Sequence, residues 1–383
     1  MSTGAGVREG TSIKDVSRAA GVSISTVSHV LNGTRYVSAE LRRRVEEAIS
    51  RLDYRHNGLA RSLRTRRSYA VGLIIPDVTN PYYPQIARGV QDTAAAAGYW
   101  VFLCNSDRRP ETEVRLLTAL EQRRVDGVLL DASWPTPDLL QAIRRAAVPV
   151  VLVGSRIDEP DLDVVTVAPN GGLEAVRHLI GAGHRRIGLI GGPPVGPPVS
   201  GGTRLAKAGG YLLALEEAGL PLDPQLIVQG DYTREGGAAA MERLLALPEP
   251  PTAVFAGNDL MAIGALAAAR RAGRRVPQDV AVVGYDDIPE AAATTPALTT
   301  VAVPKYEMGT AAATLLLERL AVRHDRHERP GPGDSFGPGG VAPGMGSDSS
   351  PAPLAARIPR AAGAALGPRH VELPYRLVVR ESA

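Results

Sequence analysis

Cysteine is nearly absent from this chain: Cys104 stands alone among 383 residues. No internal disulfide can form, and the count fits a reducing compartment rather than a disulfide-stapled secreted domain. Lysine is almost as scarce. Only Lys14, Lys207 and Lys305 occur, so arginine carries nearly all the positive charge. The opening residues, MSTGAGVREGT, lack the apolar stretch of a secretory leader, and no uninterrupted apolar run reaches bilayer-spanning length. The expectation is a soluble cytoplasmic protein with no membrane partner. Cofactor motifs are missing too. There is no GxxxxGK followed by Ser or Thr and no GxGxxG after a strand, and His56, His178 and His184 lack the spacing of a metal or catalytic pair. These absences argue against an enzyme and predict no cofactor and no metal.

The charge that is present is unevenly placed. Residues 1–68 hold thirteen Lys or Arg against six Asp or Glu, a formal +7, which leaves −4 for the rest of a chain of net +3. A basic head on a mildly acidic body suggests that only the head meets a polyanion. Within it, Ser12 to Asn32 reads as two short helices joined by a turn at Gly21. Ser12 and Asp15 have capping-box spacing. Ile13, Val16, Ala19 and Ala20 form one apolar face, and Val27, Val30 and Leu31 the apolar side of the second helix. The other side, Ile24, Ser25, Thr26, Ser28 and His29, is short and mostly uncharged. Such a surface suits the major groove, where small polar groups meet base edges; a helical hairpin of no special purpose is the plain alternative. A third helix follows at 38–52, with Leu41, Val45, Ala48, Ile49 and Leu52 in its stripe and Arg42, Arg43 and Arg44 projecting from its start.

Tyr54–Ser68 contains five arginines and no acid. Either it is a flexible basic linker, or 57–64 is a hinge helix too short to hold alone in water that folds on DNA. In the second case Leu63 wedges into the minor groove, while Arg61, Arg64, Arg66 and Arg67 meet phosphates.

From Tyr69 the pattern becomes short apolar strands alternating with amphipathic helices. Strands are predicted at 69–75, 99–104, 126–131, 148–153, 163–167, 186–191, 252–256 and 280–284, and helices at 82–97, 111–124, 137–147, 170–183, 203–219, 233–247, 258–273 and 305–322. Strands buried on both faces, with helices between them, indicate parallel doubly wound sheets, and the length calls for two lobes with a cleft between. Residues 323–370 are rich in Pro, Gly, Ser and charge and are expected to be disordered. HVELPYRLVVRES returns as a final strand, and GGPPVGPPVSGG at 191–202 is expected to be a mobile loop beside the cleft. The domain boundaries are thus a head at 11–55, a hinge at 56–68, a two-lobed body at 69–322, an insertion at 323–370 and a last strand at 371–383.

Four segments in order, VSRAAGVSISTVSHVLNG, GLARSLRTRRSYAVGLIIPDVTNPYY, FAGNDLMAIGAL and VAVVGYDDIPEAAATTPALTTVAVP, make nearly the whole chain resemble the LacI/GalR-type bacterial transcription regulators. The resemblance implies a small all-α helix-turn-helix head on an α/β body similar to periplasmic sugar-binding proteins. It implies a homodimer on a pseudo-palindromic double-stranded operator, controlled by a small-molecule effector, a carbohydrate, in the cleft. Ile24, Ser25 and His29 match base-reading positions, Thr26, Ser28 and Asn32 phosphate-holding ones, and Leu63 and Ala60 the minor-groove pair. In the cleft, Tyr82, Tyr83, Asn258 and Asp286 match effector contacts. On the residues alone, Asn258 also suits a helix N-cap and Asp286-Asp287 a turn. Where the family usually carries arginine before a Gly-aromatic pair, Lys207 precedes Gly210-Tyr211, with Arg204 one turn earlier; either is a candidate effector contact. Where many members carry a cleft aspartate, Gly154 stands, with Arg156 close by. An enzyme carrying a DNA-binding head and a transport binding protein are the rival readings; the missing motifs oppose the first and the missing leader the second.

Overall fold

The computed structural model describes residues 11–32, 35–54, 67–132, 136–154, 161–192, 205–328 and 367–383. They fall into two compact units, Met1–Ser68 and Tyr69–Ala383. The hinge segment 57–64 with Ala60, Arg61, Leu63 and Arg64 lies outside the described residues. So do Arg66, Arg156, Arg204, most of the 191–202 loop and residues 329–366.

In the first unit, α1 (Ile13–Ala20), α2 (Ile24–Asn32) and α3 (Ala39–Arg51) enclose a small core of Val16, Ala20, Val27, Val30, Val45 and Ala48. The capping box forms as read: Ser12 Oγ accepts from Asp15 N, and Asp15 Oδ2 accepts from Ser12 N at 3.0 Å. Gly21 turns the chain at φ 63°, in the left-handed region. Arg44 does not project freely. Its Nη2 donates to Ala20 O at 2.6 Å and so closes the carboxyl end of α1, while Arg43 pairs with Glu47 at 2.7 Å. Ala19, expected on the apolar face, is exposed; a helix of 8 residues buries a narrower stripe than its composition offers.

The second unit has two lobes. Lobe 1 begins with β1 (Ala70–Ile75), α4 (Tyr82–Ala96), β2 (Trp100–Asn105), α5 (Pro110–Gln122), β3 (Gly127–Leu130), α6 (Pro137–Arg145), β4 (Val150–Val153) and β5 (Asp163–Val167). Lobe 2 comprises α7 (Gly171–Gly181), β6 (Ile187–Gly191), α8 (Gly210–Glu217), β7 (Ile227–Gln229), α9 (Arg234–Leu245), β8 (Ala253–Ala256), α10 (Asp259–Arg271), β9 (Ala281–Asp286) and β10 (Thr299–Ala302). Then α11 (Lys305–Glu328) returns to lobe 1, β11 (His370–Leu373) joins the first sheet and β12 (Arg376–Val378) the second. The chain therefore passes between lobes after β5, after β10 and after β11.

The two sheets share one design. Their orders are β2-β1-β3-β4-β5-β11 and β7-β6-β8-β9-β10-β12, parallel throughout except that β12 runs antiparallel to β10. Runs such as AVGLII in β1 and AVFA in β8 are buried at every position, as parallel strands covered on both faces must be. In this order the chain reverses direction across the sheet between β1 and β3, and between β6 and β8. A crevice opens there beyond the carboxyl ends of the strands. Lobe 1 is closed by α11 crossing α4 backbone to backbone: a Cβ on Gly89 would come 2.2 Å from Tyr306 O, and one on Gly309 2.1 Å from Ile86 O.

Several elements differ from expectation. The final segment is two strands in two sheets, not one, because Pro374 has no N–H to continue a ladder. Helix α11 runs to Glu328, past the 322 boundary. Strands β7 and β10 were not anticipated. The first is only 3 residues long, and the second opens on Thr299 and Thr300, which are fully buried yet polar. The 203–219 helix begins as a π turn, Leu205–Gly209, before α8. Among the described residues no helix is long and apolar enough to cross a membrane.

Candidate functional site

In the first unit the face opposite the core is carried by α2. Ser23 caps it, its Oγ accepting from Thr26 N at 3.1 Å. The Ser23 hydroxyl also meets those of Ser25 at 2.7 Å and Thr26 at 2.9 Å. Val27 and Val30 point inward. Ile24, 44% exposed, and Ser25 point out, with Thr26, Ser28 and His29 beside them. An exposed branched aliphatic among hydroxyls at a helix N-terminus combines apolar contact to a thymine methyl with the dipole and N–H groups that favour phosphate. The side chain of Asn32 is outside the described residues.

In the second unit the switch points assemble a different surface. After β1 the chain turns through Asp77 and Asn80, whose Oδ1 accepts from Tyr82 N at 3.0 Å and starts α4. This places Tyr82 and Tyr83 edge to face, with centroids 5.0 Å apart, at the cleft side of lobe 1. Asp131 stands directly after β3, its backbone N–H donating to Ile74 O at 2.9 Å. Gly154, directly after β4 at φ 72°, faces both: a Cβ there would lie 2.8 Å from Asp131 Oδ2 and 3.5 Å from the Tyr82 hydroxyl. At the rim, Arg108 pairs with Asp77 at 3.0 Å and reaches across to lobe 2, its guanidinium 5.8 Å from the Tyr232 ring centroid.

Lobe 2 contributes Lys207 and Asp286. Lys207 Nζ donates to Gly257 O at 2.7 Å, lies 3.5 Å from Asp286 Oδ1 and sits 4.0 Å over the Tyr285 ring. Asp286 ends β9 at φ 114°, a conformation that L-residues adopt only when their surroundings impose it. The imposing groups are visible. Buried Lys305 donates to the carbonyls of Asp286, Asp287 (3.1 Å) and Val303 (3.2 Å). Arg380 binds the Asp287 carboxylate at 2.7 Å. Asp259 Oδ2 accepts from Ile288 N at 2.8 Å, and its Oδ1 from Thr300 Oγ1 at 2.5 Å. Asn258 is 2% exposed and already engaged: Oδ1 caps α10 by accepting from Met261 N at 2.9 Å, and Nδ2 donates to Tyr232 O at 3.2 Å. Its capping role, one of the two read from sequence, is therefore realised, and a ligand would find only its remaining N–H.

The electrostatics are those of a largely buried, acid-rich cleft. Burial pushes the Asp131 carboxyl well above the usual range, and Glu113 and Asp286 add to the effect against Lys207. Burial also raises Asp286, with Lys207 and Lys305 opposing. Burial raises the Tyr82 and Tyr83 hydroxyls, with the Asp131 charge next in size. Burial lowers the Lys305 ammonium despite Asp286 and Asp287. Among the described residues no cluster of His, Cys, Asp or Glu could hold a metal ion.

Sequence reasoning singled out Tyr82, Tyr83, Lys207 and Asp286, and the fold brings them to one cleft. It missed Asp131, Arg108, Tyr232, Asp259 and Lys305. Asp131 carried a usable signal, since it ends the strand DGVLLD where doubly wound sheets bind ligands.

Comparison with known proteins agrees with this geometry. The family described as "Bacterial regulatory proteins, lacI family" matches residues 12–57, and the "Periplasmic binding protein-like domain" matches residues 176–335. The chain is similar to the transcriptional repressor PurR of Edwardsiella ictaluri, 39% identical over 316 residues, covering 82% of this chain and 91% of the relative. It is similar to the ribose operon repressor of Escherichia coli K12, 41% identical over 312 residues, covering 80% and 92%. Among solved structures it is similar to the regulator CelR in complex with cellobiose, at 33% identity and TM-score 0.64, covering 97% of this chain and all of that one. A DNA-binding helix-turn-helix head and a two-lobed effector-binding body, on a chain this close to named repressors, make the protein a member of the LacI family of bacterial transcription regulators.

Proposed function

We propose that the protein is a homodimeric repressor whose grip on a pseudo-palindromic operator is controlled by a small carbohydrate bound between its lobes. The observation that carries the reading is the convergence of Asp131, Asp286, Lys207, Tyr82 and Tyr83 at the strand ends of both lobes, in a chain that also exposes Ile24 and Ser25 at the start of α2. Carboxylates, an ammonium and phenols supply both acceptors and donors, as sugar hydroxyls require. The cellobiose bound to CelR and the ribose operon of the E. coli relative point to the same ligand class. Ile24, Ser25 and His29 read bases, while Thr26, Ser28 and Asn32 hold phosphates. Ala60 and Leu63 enter the minor groove, with Arg61 and Arg64 on the backbone.

Dimerisation is supported by apolar exposure at the sheet edges. Edge strand β2 leaves Trp100 79%, Phe102 50% and Leu103 49% exposed, and in lobe 2 the corresponding edge strand β7 exposes Ile227. Unprotected edges of this kind call for a partner. Ligand closure of the lobes shifts the hinge segments and so biases their folding on DNA.

The test is selection of duplexes from a random library by the full-length protein, followed by fluorescence anisotropy against bulk genomic competitor. A two-fold-related site is expected, bound far more tightly than competitor, with affinity altered by a sugar. Enrichment of no sequence overturns the operator reading.

A further inference from the structure

The carbonyls at the end of α1 can be accounted for one by one. Gly21 N donates to Arg18 O at 3.4 Å and Val22 N to Ser17 O at 3.1 Å, the two bonds of a Schellman motif. The motif leaves Ala19 O and Ala20 O without a backbone donor. Both are taken by α3. Arg44 Nη2 donates to Ala20 O at 2.6 Å and to Gly21 O at 3.4 Å, and Arg51 Nη2 to Ala19 O at 3.4 Å. Ala20 is 4% exposed, so without Arg44 its carbonyl would lose its donor in a buried place. Residues 44, 48 and 51 share one face of α3, and Ala48, between the two arginines, belongs to the head's core. Gly21 completes the fit: a Cβ there would lie 2.6 Å from Arg44 Nη2.

The geometry points to Arg44 as a positioning residue for DNA recognition: its guanidinium fixes the turn at 20–23, and through it the angle at which α2 presents Ile24 and Ser25, instead of meeting a phosphate. This rests on the reading of α2 as the base-reading helix. α2 begins at Ile24, directly beyond that turn. Its course is set by the turn at one end and by Val27 and Val30 in the core along its length. Contacts to base edges are lost by small displacements, whereas the charge that holds any duplex is not. A loosened turn therefore costs sequence discrimination first. The Arg44 cation itself stands at the negative end of the α1 dipole, where it stabilises the helix.

The experiment uses the full chain and the duplex it selects from a random library. Fluorescence anisotropy compares wild type, Arg44→Met, Arg44→Lys, Gly21→Ala, Gly21→Ala with Arg44→Met, and Ile24→Ala on that duplex and on a scrambled one, over a range of salt. Arg44→Met is expected to weaken the selected duplex by about 10- to 100-fold, the size of one base contact, and the scrambled duplex by about 3-fold or less. Equal losses on both overturn the inference. The salt slope on the scrambled duplex is expected to match wild type; a slope smaller by about one makes Arg44 a phosphate contact and also overturns it. Arg44→Lys keeps a charged donor and is expected to recover most of the loss, and a lysine variant as weak as the methionine one counts against donation to the turn. Gly21→Ala displaces the same guanidinium, so Arg44→Met is expected to cost little more in its background, and additive losses sink the assignment. Hydrogen exchange, read on Arg44→Gln as well in case the methionine change unfolds the head, is expected to quicken across 17–25 while α3 stays protected. Exchange unchanged across 17–25 overturns the inference without reference to DNA. If Ile24→Ala weakens the selected duplex and Arg44→Met does not, this assignment falls and the base-reading role of α2 stands. If Ile24→Ala is without effect, that role falls and takes this inference with it.

Discussion

At the residue scale the sharpest consequence is a pH dependence held by one buried acid. Burial, with Asp286 next in effect, pushes Asp259 up to about 8, against an unfolded value near 3.8. The folded state therefore holds this proton over a range in which the unfolded state has lost it. Asp259 contributes its full stability below pH 4, and the contribution drains away as pH rises towards 8. Asp259→Asn keeps an acceptor for Ile288 N and a polar partner for Thr300 without the proton. The mutant should lose a stability slope of up to about 1.4 kcal/mol per pH unit across that window. Chemical denaturation at pH 5, 6.5 and 8 measures it, and parallel wild-type and mutant curves would show that other groups set the slope. Lys305 is the complementary case. Lys305→Met leaves the carbonyls of Asp286, Asp287 and Val303 without their shared donor and should cost about 3 kcal/mol. The same change releases the turn that strains Asp286, so cleft ligand affinity should fall along with the midpoint of unfolding; a stability loss with affinity intact would show that the turn holds itself.

At the element scale two contacts leave little room. The crossing of α4 and α11 brings backbone to backbone at Gly89 and Gly309. Gly309→Val must separate the helices, at about 1–3 kcal/mol or more, whereas the same exchange at Gly181, which has open space at its Cβ position and no left-handed backbone, should cost far less. Urea unfolding of both variants makes the comparison, and equal losses would mean that α11 shifts without strain. In the head, Ser12→Ala removes one half of the capping box and should cost about 1 kcal/mol. These elements also show what the chain's own letters could and could not tell. The head was legible because its helices are amphipathic and locally capped: Ser12, Asp15 and Gly21 announce their own geometry. The long apolar strands were legible for the same reason. Strand β10 was not, because Thr299 and Thr300 look solvent-facing until Asp259 and Ser382 supply buried partners from far along the chain. The split of β11 from β12 was hidden because it depends on which lobe offers an open edge. Tyr82, Tyr83 and Asp286 were found through motif likeness. Asp131 needed knowledge that β1 and β3 are neighbours, and Arg108 needed the opposite lobe.

For the whole molecule, the question is how cleft events and DNA affinity are joined. A coupling of about 1–3 kcal/mol between two sites alters affinity roughly 5- to 150-fold, so modest differences in lobe closure suffice. Pairing of heads is at least as strong a lever. Binding a second half-site becomes intramolecular in a dimer, which multiplies affinity by about 100-fold or more without new contacts. If β2 supplies that dimer, its exposed Trp100 and Phe102 lie against a second copy, and charge placed there is buried beside charge. The double substitution Trp100→Glu with Phe102→Glu should leave the monomer folded, since neither side chain belongs to the core. It should shift sedimentation to a monomer and lower operator affinity by about 100-fold, while salt-dependent binding to nonspecific duplex changes little because each head keeps its arginines. Sedimentation as an unchanged dimer would place the interface elsewhere. A true monomer that still holds the operator at wild-type strength would be harder to absorb, since it would mean that one head with one hinge reads the whole site and that two-fold symmetry has no part in recognition.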